Sequence, residues 1–201
     1  MTPPALADVT LTKGHGTEND FVLVPDPDGA LDLDAATVAH LCDRRAGIGA
    51  DGLIRVVRSA ALAEGKAALR EGAEWFMDYR NADGSAAEMC GNGIRVFVDY
   101  LRRRGLVDLD EGATVPVGTR GGVRPVTFAG GLYTVDMGRW SFPGGQQALD
   151  QGYDVAVQVA GLEEQRAGLR VAMPNPHTVV ALPDVAELAA ADLTREARYD
   201  P

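Results

Sequence analysis

The sequence predicts a strand-rich mixed α and β fold with one helix buried nearly all round. Three observations predict it. Ile94, Phe97, Val98 and Leu101 recur at i, i+3, i+4 and i+7 and so share one helix face, while Val96 and Tyr100 add apolar surface on the other side; this reads as a helix buried nearly all round. Other apolar runs are short and bounded by Gly, Pro, Asn or Asp, which is the signature of strands. The chain also carries 24 Gly and 11 Pro in 201 residues, enough to turn many times.

In chain order, Met1-Thr2-Pro3-Pro4-Ala5 lacks the charged and apolar regions of a signal peptide. Val9 to Thr12 reads as a short strand, Lys13 to Asp20 as a polar, glycine-bearing loop, and Phe21 to Val24 as a second strand closed by Asp26-Pro27-Asp28-Gly29. Asp34 is placed to cap a helix running to about Arg45, with Val38, Leu41 and Cys42 as its inner stripe. Cys42 is therefore expected in the core.

Gly47-Ile48-Gly49-Ala50-Asp51-Gly52 matches G-x-G-x-x-G, but a helix precedes it and the strand Leu53 to Val57 follows. A dinucleotide fingerprint needs the reverse order, so the glycines are read as a tight helix-to-strand turn. Residues 59 to 73 are alanine-rich and read as an exposed helix or a loop insertion. Glu74 to Arg80 is an aromatic-bearing strand, and Asn81-Ala82-Asp83-Gly84-Ser85 is a turn that delivers the chain to the buried helix.

That helix begins at Cys90-Gly91-Asn92-Gly93 and ends with Arg102 to Arg104 and Gly105, residues suited to a helix C-terminus. Cys90 thus sits where unpaired N–H groups and the positive dipole end favour an anion, which includes a thiolate. A free cysteine is more often a small buried apolar residue; what surrounds Cys90 favours the chemical reading. Beyond Gly105 short strands follow at 114–117, 123–128 and 132–136, with a hairpin turn at Ala129-Gly130-Gly131, then at 155–159, 169–173 and 178–182. Asn175 and His177 stand at the head of the last of these, between fixing prolines. From Asp184 a short helix is read, and no strand after it.

The net charge of −10 argues against nucleic acid or an anionic membrane as partner. No apolar run is long enough to span a bilayer. Two cysteines are too few for a disulfide framework and fit a reducing compartment, so a soluble cytoplasmic protein is expected. No metal motif is found: the three histidines are scattered, and neither H-E-x-x-H nor C-x-x-C occurs. P-loop and G-x-S-x-G signatures are absent as well.

Five stretches, taken together and in order, resemble the diaminopimelate epimerase family. They are Lys13-Gly14-His15-Gly16 through Asn19-Asp20-Phe21, Cys42-Asp43-Arg44 through Gly52, Asn81 to Ser85, Met89 to Gly93, and Asn175-Pro176-His177. The resemblance implies a fold of two pseudo-symmetric α/β (α+β) domains, each a curved, mostly antiparallel sheet wrapped around a central helix. Here they are read as residues 1–122 and an incomplete second domain, 123–201. It implies cofactor- and metal-independent interconversion of LL- and meso-diaminopimelate by two cysteines on opposite faces of the α-carbon. Cys90 maps to the first. Gly91 and Asn92 would offer backbone N–H groups to the substrate carboxylate, Asn19, Asn81 and Asn175 would hold its polar groups, and His177 would lie near the thiols.

The family's second catalytic cysteine, expected in a later alanine-cysteine-glycine-threonine segment, has no counterpart here, and Cys42 maps elsewhere. Pro174 replaces a usual glycine, and Gly52 replaces a residue that is polar in many members. A truncated chain with little epimerase activity of its own is the expectation, with a homodimer or other partner chain as one source of the missing thiol. A proline-racemase-like enzyme is the competing reading, against which Asn92 stands where that family resembles Cys-Gly-His. A non-catalytic fragment that binds a small molecule or partner is the other.

Overall fold

A computed structural model of the chain describes residue 6 and residues 8–173 and 175–200. The N-terminal stretch read as leaderless, Pro174 and Pro201 lie outside these. The chain forms two compact units, Met1–Met137 and Gly138–Pro201.

The first unit is a seven-stranded sheet whose strands lie side by side in chain order: β1 (Thr12–Gly16), β2 (Asn19–Pro25), β3 (Gly52–Arg58), β4 (Trp75–Asn81), β5 (Thr114–Gly118), β6 (Arg124–Ala129) and β7 (Leu132–Val135). Only the β2–β3 and β4–β5 pairs are parallel, and the rest of this sheet is antiparallel. A parallel pair needs a crossover. Helix α1 (Ala35–Cys42) lies in the first crossover and α3 (Gly91–Arg103) in the second; α2 (Gly65–Arg70) follows β3.

Alternation along β2 explains why its sequence is apolar without interruption. Phe21 and Leu23 pack with Ile94, Phe97, Val98 and Leu101 of α3. Val22 and Val24 face the other way, onto Val38, Leu41 and Cys42 of α1. The sheet therefore buries both faces here. Helix α3 touches β1 to β4 and also β7, so the sheet curls around it, and none of residues 91 to 101 is exposed. The curved, mostly antiparallel sheet around a central helix is as expected from the resemblance.

Helix α3 ends in a Schellman motif: Leu106 N–H donates to the Leu101 carbonyl at 2.9 Å and Gly105 N–H to that of Arg102 at 3.1 Å. Gly105 has φ +65° and open space around its Cα. Gly105→Ala therefore meets no clash and costs only the left-handed backbone, about 1 kcal/mol. A urea melt showing that loss with an unchanged slope is the expected result.

The structure differs from the sequence reading in several places. β1 begins at Thr12, and Lys13 to Gly16 are strand; the connection is a two-residue turn, Thr17-Glu18, with φ of 55° and 64°. Neither residue is the Gly or Asn that usually marks such a turn, so the signal was missing. Helix α1 stops at Cys42, short of Arg45. Residues 59–73 hold a 3₁₀ turn, Ser59–Ala61, then α2, which buries Ala68 against Val57 and Phe76. The hairpin expected at Ala129 to Gly131 joins β6 to β7, with Ala129 opposite Leu132. These two strands extend the first sheet, and Met137 is the last residue of the first compact unit.

The second unit is a four-stranded antiparallel sheet in the order β10-β9-β8-β11, formed by β8 (Val155–Gln158), β9 (Arg166–Met173), β10 (Asn175–Val180) and β11 (Arg198–Asp200). Helices α4 (Gly145–Gln151) and α5 (Val185–Ala190) complete it, the latter capped by Asp184, whose carboxylate accepts from Glu187 N–H at 2.9 Å. The expectation of no strand after α5 is corrected: β11 pairs with β8. Its Arg-Tyr-Asp sequence is exposed throughout and carries no apolar alternation, so only backbone pairing defines it. Among the described residues of this unit, Ala148, Val155, Val157 and Leu162 are the buried apolar ones.

Candidate active site

The parallel pairing of β2 with β3, and the antiparallel return of β4, bring three sequence-distant segments to one end of the sheet. Phe21 pairs with Gly52, and Gly52 with Asn81. Asn19, Asp51 and Asn81 therefore lie at one sheet end, and the Cys90 sulfur at the head of α3 reaches Asn19 there.

Cys90 is the N-cap of α3. Its backbone is extended, its carbonyl accepts the first helical bond from Ile94 N–H at 2.9 Å, and its sulfur accepts Gly93 N–H at 3.4 Å. The N–H groups of Gly91 and Asn92 precede that first helical bond and belong to the open positive end of a 13-residue helix. On its other side the Cys90 S–H donates to Asn19 Oδ1 at 3.7 Å. The same oxygen accepts from Asn92 Nδ2 at 3.4 Å. Arg95 folds back over the helix start: it donates to the Gly91 carbonyl at 3.2 Å, to Thr17 Oγ1 at 3.2 Å and to Asn92 Oδ1. That last bond turns the Asn92 amide so that its NH₂ faces Asn19, and the bond to Thr17 ties down the left-handed β1–β2 turn.

Around this core lie residues without a role in the sequence reading. Asn19 Nδ2 donates to Asp51 Oδ2 at 2.7 Å. Arg44 spans Asp20 and Asp51 with bonds of 2.7–3.0 Å, and Lys13 pairs with Asp20 at 3.1 Å. The hydrogen bonds from Arg44, with Lys13 beside it, hold the Asp20 carboxyl far below the usual carboxylate range against the opposing effect of burial. The bond from Asn19 leads in lowering Asp51. Tyr79 packs edge-on against Phe21 at 5.7 Å; burial first, and the negative charge of Asp51 after it, push its phenol up to about 12, so it stays protonated. Met137 lies 3.6 Å from where a Cβ on Gly91 would stand. Asp51 and Arg44 fall inside stretches already singled out, and their spacing alone could not show that they meet.

Asn81 is exposed at the end of β4, with its side chain donating to Ser85 Oγ at 3.0 Å. Gly52 faces it across the ladder, and a Cβ there would lie 2.5 Å from the Arg80 carbonyl and 2.6 Å from the Tyr79 ring, so this site has no room for a side chain at 52. Asn175 and His177 belong to the second unit, at the head of β10, where His177 Nδ1 lies 3.0 Å from the Asn175 carbonyl oxygen. Cys42, expected in the core, is 4% exposed, and burial pushes its thiol up to about 11. Among the described residues no group of three His, Cys, Asp or Glu is arranged to hold a metal ion, and no helix is long and apolar enough to cross a membrane.

An N-capping cysteine on a central helix, faced by an asparagine and helix-end N–H groups, has the chemistry to exchange a proton beside an anion. The fold falls in the class seen in a hydroxyproline epimerase from Agrobacterium vitis (TM-score 0.61, 13% identity, 90% of this chain and 53% of that one) and a probable proline racemase from Agrobacterium radiobacter K84 (TM-score 0.60, 11% identity, again 90% and 53%). At the level of sequence, residues 11–143 match the family model for diaminopimelate epimerase, and the chain belongs to that family. It is 56% identical to the diaminopimelate epimerase of Thermobifida fusca (strain YX) over 82% of this chain and 57% of the relative. The Streptomyces coelicolor protein of the same name is 54% identical over 88% and 57%, and the Rhodococcus opacus one 47% identical over 94% and 65%. The chain thus spans about 57% to 65% of the length of these relatives.

Proposed function

We propose that this chain carries the first-thiol half of a diaminopimelate epimerase, acting on the α-carbon of LL- or meso-diaminopimelate in the cytoplasm, with its two units as the two half-domains. The observation that supports it best is Cys90 as N-cap of α3, with Gly93 N–H on its sulfur and the N–H groups of Gly91 and Asn92 open beside it. In this reading the Cys90 thiolate takes the α-proton and becomes a thiol, while the electron pair of the C–H bond delocalises into the adjacent carboxylate. The N–H groups of Gly91 and Asn92 are donors for that developing charge. Asn19, Asn81 and Asn175 hold polar groups of the substrate in this reading, with His177 in support.

Inversion needs a second acid on the opposite face. This sequence has two cysteines, and Cys42 is buried with its thiol held protonated. We therefore expect the chain by itself to exchange the α-hydrogen without inverting the centre. A homodimer is proposed as one form of the chain, and the second acid is not among the residues of this sequence. Exposed apolar side chains of the second unit, among them Val179, Val185, Leu188 and Leu193, favour such association.

Incubating the chain with LL-diaminopimelate in heavy water tests this. Deuterium uptake at the α-carbon with retained configuration is expected. Uptake with inversion would mean that a second acid acts here or in an associated copy, and no uptake would overturn the reading of Cys90 as a working base.

A further inference from the structure

We infer that Asp51, itself fixed by Arg44, is a positioning residue for Cys90: it sets which end of the Asn19 carboxamide faces the thiol. The inference rests on Cys90 being the working thiol of the proposed reaction.

A carboxamide presents either its oxygen or its NH₂, and a rotation of half a turn exchanges them. Here the choice is forced from one side. Asp51 Oδ2 can only accept, and it lies 2.7 Å from the Asn19 amide nitrogen. The NH₂ must therefore point at Asp51, which leaves Oδ1 toward Cys90 Sγ at 3.7 Å and Asn92 Nδ2 at 3.4 Å. Asp51 cannot easily turn away. Its other oxygen receives Arg44 at 2.7 Å, and Oδ2 also accepts Asp20 N–H at 3.1 Å. Arg44 is held in turn by both oxygens of Asp20, at 2.8 and 3.0 Å, and Asp20 by Lys13.

The consequence at the sulfur is specific. An acceptor oxygen directs the S–H proton of the neutral thiol but gives nothing to the thiolate. The anion keeps the Gly93 N–H and the helix end. The device thus favours a thiol with an aimed proton, the form that must hand a proton back to carbon. Were the amide to rotate, its NH₂ would donate to sulfur and favour the thiolate.

The test is the rate of Cys90 alkylation by iodoacetamide across pH, in the chain as it stands, with four variants: Asp51→Ala, Asp51→Asn, Asn19→Ala and Asn19→Ala/Asp51→Ala. Asp51→Ala frees the amide, and we expect alkylation at pH 7 about threefold faster, with the whole pH profile moved to lower pH. Asp51→Asn loses the charge but keeps an acceptor for the Asn19 NH₂, so it should stay near the unsubstituted rate. In the Asn19→Ala background the Asp51→Ala effect should vanish, since a coupling carried by Asn19 is not additive. Equal acceleration in Asp51→Ala and Asp51→Asn, persisting without Asn19, would mean that Asp51 acts by charge alone and would overturn the inference. So would an unchanged rate in a folded Asp51→Ala chain.

Should Asp51→Ala fail to fold, solvent exchange of the Asn19 side-chain amide by NMR decides in the unsubstituted chain: one slow proton supports the inference, two fast ones overturn it. These readouts need no substrate. A chain that shows the coupling but takes up no deuterium would refute the proposed reaction and leave the positioning intact.

Discussion

Cys90→Ala is expected to remove α-deuterium uptake from diaminopimelate, a fall of at least about 100-fold, the low end of what a positioned general base contributes. None of Tyr79, Asn19, Asn92 and Asp51 beside it can take over. Tyr79 is held protonated, with its phenol near 12, Asn19 and Asn92 are amides, and Asp51 is occupied by Asn19, Arg44 and Asp20. Cys42→Ala is the control. Its thiol is buried against Val22, Val38 and Leu41, and burial keeps it up at about 11, so deuterium uptake should be unaffected. The loss confined to Cys90 would assign the chemistry to one of two cysteines by experiment. Equal loss in both variants would point to a failure of folding, which circular dichroism would show.

Asp78→Ala is expected to destabilise the first unit by about 3 kcal/mol. Asp78 is on β4, where Met77 and Tyr79 face α3 and Asp78 points to the other side. There it is 1% exposed among three arginines: Arg120 at 2.7 Å, Arg80 at 3.2 Å and Arg55 at 3.8 Å. Breaking a buried pair by removing one partner costs about 3–5 kcal/mol, because the other charge is left behind. The low end applies because Arg55 keeps Asp26 at 2.7 Å and Arg120 keeps Glu64 at 3.0 Å.

The same cluster gives a pH dependence. Burial works against the charge of Asp78, yet Arg80 and Arg120 together hold its carboxyl below the ordinary value. A depressed carboxyl contributes stability that is fully present above its unfolded value, about 3.9, and is lost as pH falls through the lower folded value. Urea midpoints should thus be flat near neutrality and fall below about pH 4, less steeply in Asp78→Asn. An equal slope in both chains would remove Asp78 from the account.

Much of the central framework was legible because it rests on local periodicity. The α3 spacing, the Asp34 cap and the rejection of Gly47 to Gly52 as a nucleotide loop follow from residue order alone. Helix α3 and its N-capping cysteine appear in the structure as read. The β1–β2 turn and β11 were not legible. Thr17 and Glu18 take left-handed backbones without glycine, held by Arg95 from 78 residues away, and β11 exists only through pairing with β8.

The division is sharpest at the site. By itself the sequence determined that a thiol would head a buried helix, that Cys42 would be core, and that five ordered motifs place the chain in one family. The first two are matters of spacing and composition and the third of resemblance, and all survive without coordinates. Only the tertiary structure decided that Asn19 and Asp51, 32 residues apart, would meet at 2.7 Å and that Arg44 would clamp Asp20 to Asp51. Those contacts arise from the parallel register of β2 on β3, and a register is set by the crossover and the faces both strands bury. No local pattern encodes it.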